Sequence, residues 1–225
     1  MRRLFPLLLT ALALLLPIAA QAQTEEQSLV DRATLSVQEM LSDQSNPDAR
    51  NLLRNATGVM LCPRVFKAGF ILGGQGGSCV LVGRGQAGWT SPAFYGLASG
   101  SVGFQIGVQD SQIIFIIRTE KGLKALMNSQ FKFGADAGVA VATIGAGVAG
   151  ATTAALRADI VAFAKSRGLY AGISLDGSII SQRSDWNAAY YGQPLSPQQI
   201  VLAGQGRNPG AEPLREMLAR FSGGR

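Results

Sequence analysis

The chain has 225 residues, of which 47% are hydrophobic, 15% charged and 28 are glycine, with Lys plus Arg exceeding Asp plus Glu by six. It contains no histidine, which removes Ser-His-Asp and Cys-His catalysis, histidine proton shuttling and histidine-ligated zinc together. The 14 acidic residues form no dyad, and the basic surplus is spread out without the aromatic interleaving of a nucleic-acid surface, so no catalytic, metal, cofactor or nucleic-acid site is read.

Met1 to Ala22 has the three parts of a secretory leader: Arg2 and Arg3, an apolar run from Leu7 to Leu16, and the small-residue site Ala20-Gln21-Ala22. Cleavage after Ala22 leaves a chain from Gln23 with net charge 18 − 14 = +4. This predicts a periplasmic or secreted protein, peripheral on an envelope membrane if it is membrane-associated at all. An uncleaved anchor helix fits less well, because Pro6 and Pro17 bracket a short run.

From Thr24 to Ser42, Leu29, Ala33, Val37, Met40 and Leu41 recur at helical spacing, with Glu25, Glu26, Asp31, Arg32 and Glu39 off the stripe. The stripe either packs on a sheet or touches a membrane. Asn46-Pro47-Asp48 ends this helix, and Asp48 caps a second one reaching about Ala56.

Residues 56–83 organise the rest. Three apolar runs, Gly58 to Leu61, Phe70 to Leu72 and Cys79 to Val82, are cut by Cys-Pro and by Gly-Gly-Gln-Gly-Gly. They read as short strands of a meander, with Gly73, Gly74, Gly76 and Gly77 forming a tight hairpin. Arg64 and Lys67 then fall in the connection between the first two strands. Cys62 and Cys79 lie in neighbouring strands; they form either one disulfide, as export would permit, or two small buried side chains pointing to opposite faces.

Strand patterns return from Gly88 to Arg118, and the unbroken apolar run Ile113 to Ile117 predicts burial on both faces. A helix capped by Thr119 follows, then a strand over Phe131 to Val141. Residues 145–150, GAGVAG, match the G-x-G-x-x-G fingerprint, but too little chain follows for a dinucleotide-binding domain. Ala137 to Leu156 is long enough to cross a bilayer, yet it is weakly apolar and reads better as buried strands. Aromatics at 7% are sparse for the girdles of an outer-membrane barrel. Asp159 to Lys165 and Leu169 to Leu175 form a hairpin around Gly168, and Gly177 to Ser181 is a last strand. Helices follow at Asp185 to Tyr191, from Ser196-Pro197, and at Glu212 to Arg220.

The expected class is α+β: a curved, mostly antiparallel sheet or partly closed barrel flanked by N- and C-terminal helices. Its parts are a leader (1–22), N-terminal helices (23–56), a β-rich core (57–183) and a C-terminal helical segment (184–225).

The stretches VMLCPRVFKAGFILGGQGGSCVLVG and DIVAFAKSRGLYAGISLDGSIISQR resemble the opening and closing signatures of the SYLF domain family. WTSPAFYGLASGSVGFQIGVQ is similar to its middle block, with Gly103-Phe104-Gln105-Ile106-Gly107 as the Gly-x-Gln-x-Gly element. The resemblance implies a lipid-binding, actin-associated domain without enzymatic activity, phosphoinositides being the lipids of eukaryotic relatives. For this chain the implied partner is anionic phospholipid or a membrane surface, with a structural protein-interaction module as the alternative. Arg64 and Lys67 beside one Gly-rich turn, with Lys165 and Arg167 beside another, are the candidate headgroup contacts.

Overall fold

Helices α1 (Glu25–Ser42) and α2 (Pro47–Arg54) open the computed structural model. It describes residues 24–42, 47–69, 72–102, 107–133, 135–136, 138–143, 158–168, 175 and 177–223. The Thr24 hydroxyl accepts from the Gln27 amide at 3.2 Å, and Glu25 and Glu26 in the first turn suit the positive end of the helix dipole. Leu29, Ala33, Val37, Met40 and Leu41 are buried, so the stripe packs on protein. Guanidinium groups satisfy the helix-end carbonyls: Arg50 donates to Leu41, and Arg84 to Leu53 at 3.3 Å and Arg54 at 2.5 Å.

Among the described residues nine strands follow: β1 (Gly58–Gly69), β2 (Leu72–Gly85), β3 (Gly88–Trp89), β4 (Ala93–Val102), β5 (Gly107–Ile117), β6 (Gln130–Lys132), β7 (Val139–Thr143), β8 (Ile160–Gly168) and β9 (Ile179–Gln182). Eight run in the order β6-β9-β4-β2-β1-β5-β8-β7, and β3 pairs with β2. The pairs are antiparallel except β7–β8. The sheet curls into a half-barrel, and helices from both chain ends flank it, giving the α+β class expected from the sequence. Further α-helices among the described residues are α3 (Glu120–Leu126), α4 (Ser184–Tyr191), α5 (Pro197–Val201) and α6 (Glu212–Ser222). Thr119 caps α3 by accepting from the Gly122 amide, and Ser196 and Gln199 form a capping box on α5.

The strands around the glycine cluster differ from the sequence expectation. β1 runs twelve residues straight through Cys62-Pro63, and β2 runs fourteen through Gly73 to Gly77. The glycines are therefore strand interior, and none of them has positive φ. Arg64 and Lys67 lie within β1, not in a connection. The pairing register explains this: β1 shifts against both neighbours at 61–65, a bulge that accommodates Pro63, which has no N–H to give a ladder. A Cβ at Gly77 would collide with the Arg64 carbonyl, so glycine there allows β2 to approach the bulge. The single strand expected over Phe131 to Val141 is two, β6 and β7, at opposite ends of the sheet. The GAGVAG run, and residues 169–174 of the strand expected over Leu169 to Leu175, fall outside the described residues.

Alternation along the strands sorts the core into two clusters. Val59, Leu61, Val80, Val82, Ile114, Ile116, Val161 and Phe163 face α1, α2, α4 and α6, where they meet Leu29, Val37, Leu53 and Leu218. Met60, Val65, Leu81, Tyr95, Phe115, Ile160 and Ala162 face the other side, covered by α3, α5 and Phe131 of β6. The run Ile113 to Ile117 supplies both clusters, hence its unbroken apolar character. Cys62 and Cys79 are joined by a disulfide, fully buried in the second cluster with Cα atoms 4.2 Å apart.

Candidate functional site: a cationic trough between α1 and the sheet

Beside α1 two adjoining troughs open, one of about 420 Å³ over β1 and β2 and one of about 330 Å³ over β1, β5 and β8, sharing Arg32, Pro63 and Arg64. α1 contributes Arg32, Leu35, Ser36 and Glu39, which repeat at helical spacing along one flank beside the buried stripe. β1 contributes Arg64 and Phe66, β5 contributes Asp110 and Gln112, and β8 contributes Lys165 and Arg167. Four cations face two carboxylates, leaving a local charge of 4 − 2 = +2.

The alternation of β8 places Lys165 and Arg167 on the same face as Val161 and Phe163. Both reach the Glu39 carboxylate, Lys165 Nζ at 3.0 Å and Arg167 Nη2 at 2.6 Å from Oε1. The Gln112 amide donates to the other oxygen at 2.9 Å. These hydrogen bonds, Gln112 first and then Lys165, hold the Glu39 pKa down at about 2 against the opposing effect of burial. The amide oxygen of Gln112 is buried and has no hydrogen-bond partner among the described residues. Across the trough Arg64 Nε meets Asp110 Oδ2 at 2.6 Å, and the guanidinium lies 5.9 Å from the Phe66 ring centroid.

Three of the four residues expected to contact a headgroup therefore converge. Arg64, Lys165 and Arg167 share the trough; Lys67 does not line it. Beyond the bulge Val65 points into the second cluster, and Lys67, two residues on, shares that face. Arg32 was not among the residues expected from sequence; its signal is the i, i+3, i+4, i+7 pattern with Leu35, Ser36 and Glu39 on α1. Other arginines hold the fold together: Arg118 donates to the Ala158 carbonyl, Arg215 donates to that of Trp89 at 2.6 Å, and Arg183 stacks on Trp186 at 3.7 Å.

Among the described residues no group of His, Cys, Asp and Glu could hold a metal ion, and no helix is long and apolar enough to cross a membrane. The trough can bind an anion through charge-assisted hydrogen bonds.

The profile of a family described as Ysc84, "Las17-binding protein actin regulator", matches residues 98–221. The human "SH3 domain-containing YSC84-like protein 1" is 30% identical over 187 residues, covering 81% of this chain and 54% of that protein. "Protein YSC84" of Saccharomyces cerevisiae is 28% identical over 208 residues, covering 90% of this chain and 44% of that protein. "LAS seventeen-binding protein 3" of the same species is 30% identical over 173 residues, 75% of this chain and 37% of that protein. The chain spans about half the length of the curated relatives it matches or less. It belongs to the Ysc84 family, the SYLF family indicated by its motifs.

Proposed function

We propose that the trough binds the headgroups of anionic phospholipids and holds the protein on a membrane surface as a non-enzymatic binding module. The carrying observation is the convergence of Arg32, Arg64, Lys165 and Arg167 from three elements around one open trough. Lys165 and Arg167 are paired with Glu39, and Arg64 with Asp110, in partly exposed ion pairs that a phosphate can replace, while Arg32 donates to the Ser28 carbonyl at 3.1 Å. A phosphate carries more acceptor oxygens than a carboxylate and suits several convergent donors. Each net positive charge near an anionic surface contributes about 1 kcal/mol, so the trough's net +2 supplies about 2 kcal/mol. The leader-like composition of Met1 to Ala22 and the buried disulfide both support export, which would place that surface at the cell envelope.

Co-sedimentation tests this. The protein pellets with phosphatidylglycerol-containing vesicles, less so as salt rises, and not with neutral vesicles. Arg64→Glu with Lys165→Glu abolishes the difference, whereas Lys124→Glu on α3 leaves it intact. Equal behaviour with neutral and anionic vesicles would defeat the reading.

A second reading is a protein-interaction module. It is favoured by the names of its relatives, which describe Las17 binding and actin regulation. A complex that resists both trough substitutions and needs no vesicle would support it.

A further inference from the structure

We infer that the trough's rim is a penetrating surface, with Leu35, Phe66 and Val108 entering the boundary between headgroups and acyl chains of an anionic bilayer. This rests on the lipid-binding reading above and adds how the membrane is held. Among the described residues, five large apolar side chains are exposed, and three of them lie here: Leu35 at 63%, Phe66 at 45% and Val108 at 56%. Leu35 and Phe66 line the trough itself. Val108 shares their face: Gln109 and Ser111 point inward and are buried, while Asp110 turns out to Arg64. Phe66 pairs with Asp110 and Ala68 with Val108, so Val108 is the diagonal neighbour of Phe66 across β1 and β5.

The arrangement sets exposed apolar side chains beside cations with long aliphatic stems. Such stems let a guanidinium or ammonium remain among phosphates while neighbouring side chains go deeper. Charge decides the occupant: a net positive rim complements an anionic bilayer and opposes a second copy of the same rim. Electrostatics also leave room for a second contribution. A net +2 gives only roughly thirtyfold enrichment at an anionic surface, and lasting peripheral association takes two signals.

The test uses the full chain and vesicles of phosphatidylglycerol with phosphatidylcholine. In Phe66→Trp, the added indole shifts to the blue on binding and is quenched by brominated acyl chains more than the native Trp89 and Trp186 are. Some wild-type binding persists in 1 M salt, where the screening length falls to about 3 Å, and Phe66→Ser with Leu35→Ser and Val108→Ser weakens it roughly tenfold. The three side chains are exposed, so folding is checked by thermal melts; if the triple variant misfolds, Phe66→Trp alone decides. Salt-sensitive binding with no excess quenching at position 66 would overturn penetration and leave headgroup binding intact. Failure of the wild type to pellet with anionic vesicles would overturn both. A dimer that the triple variant converts to monomer, without vesicle binding, would assign the surface to self-association and likewise overturn both.

Discussion

Glu39 is the residue on which the trough's charge turns. It pairs with both Lys165 and Arg167 in the free protein, offsetting one of their two charges, and Gln112 together with these partners holds its carboxyl, ordinarily near 4.5, down at about 2. A carboxylate with a lowered folded-state pKa binds protons more readily when unfolded. Its stabilisation is therefore complete above about 4.5 and is lost as pH falls towards 2. Urea midpoints measured across that window should fall for the wild type and change less for Glu39→Gln. The Asp159 carboxyl is also held low, first by its hydrogen bond from Thr119, so the difference between the two proteins isolates Glu39. The same substitution raises the trough's net charge from +2 to +3 and should strengthen binding to anionic vesicles roughly fivefold. Unchanged or weaker binding would mean that Glu39 serves the fold alone.

Among the elements, β1 has the most consequences. Before the bulge its odd-numbered residues, Val59 and Leu61, face the helices; after it the even-numbered Arg64 and Phe66 do. One extra residue at Cys62-Pro63-Arg64 thus decides that Arg64 enters the trough and Lys67 faces away. The disulfide holds β1 to β2 beside this point and closes a loop across 17 positions. Breaking it should cost about 3 kcal/mol, chiefly through the freedom returned to the unfolded chain. Urea unfolding with and without reductant measures this. A paired Cys62→Ala, Cys79→Ala variant should match the reduced protein and ignore reductant.

At the scale of the molecule, the helix-side cluster joins Leu29 of α1 to Leu218 of α6 through the sheet. Helices α1 and α6 therefore share one core with the sheet and are expected to unfold with it. Leu218 is fully buried, and Leu218→Ala should destabilise by about 3 kcal/mol, read as a lower urea midpoint at an unchanged slope. Two separate transitions would show instead that the helices unfold independently of the sheet.

Short-range physics made much of this architecture legible in the sequence. The α1 stripe, the Thr119 and Ser196 caps, and the doubly buried Ile113 to Ile117 are set by residues within a turn or a strand of one another. The absence of histidine likewise removes histidine-based chemistry without coordinates. The limits of β1 and β2 were not legible, because Pro63 and the glycines of 73–77 break isolated strands but are tolerated at a bulge and beside one. Nor was the membership of the trough. Arg32, Arg64 and Lys165 are distant in sequence, and only the packing of α1 over β1, β5 and β8 brings their charges to one place, since side-chain direction depends on register and register on pairing across the whole sheet.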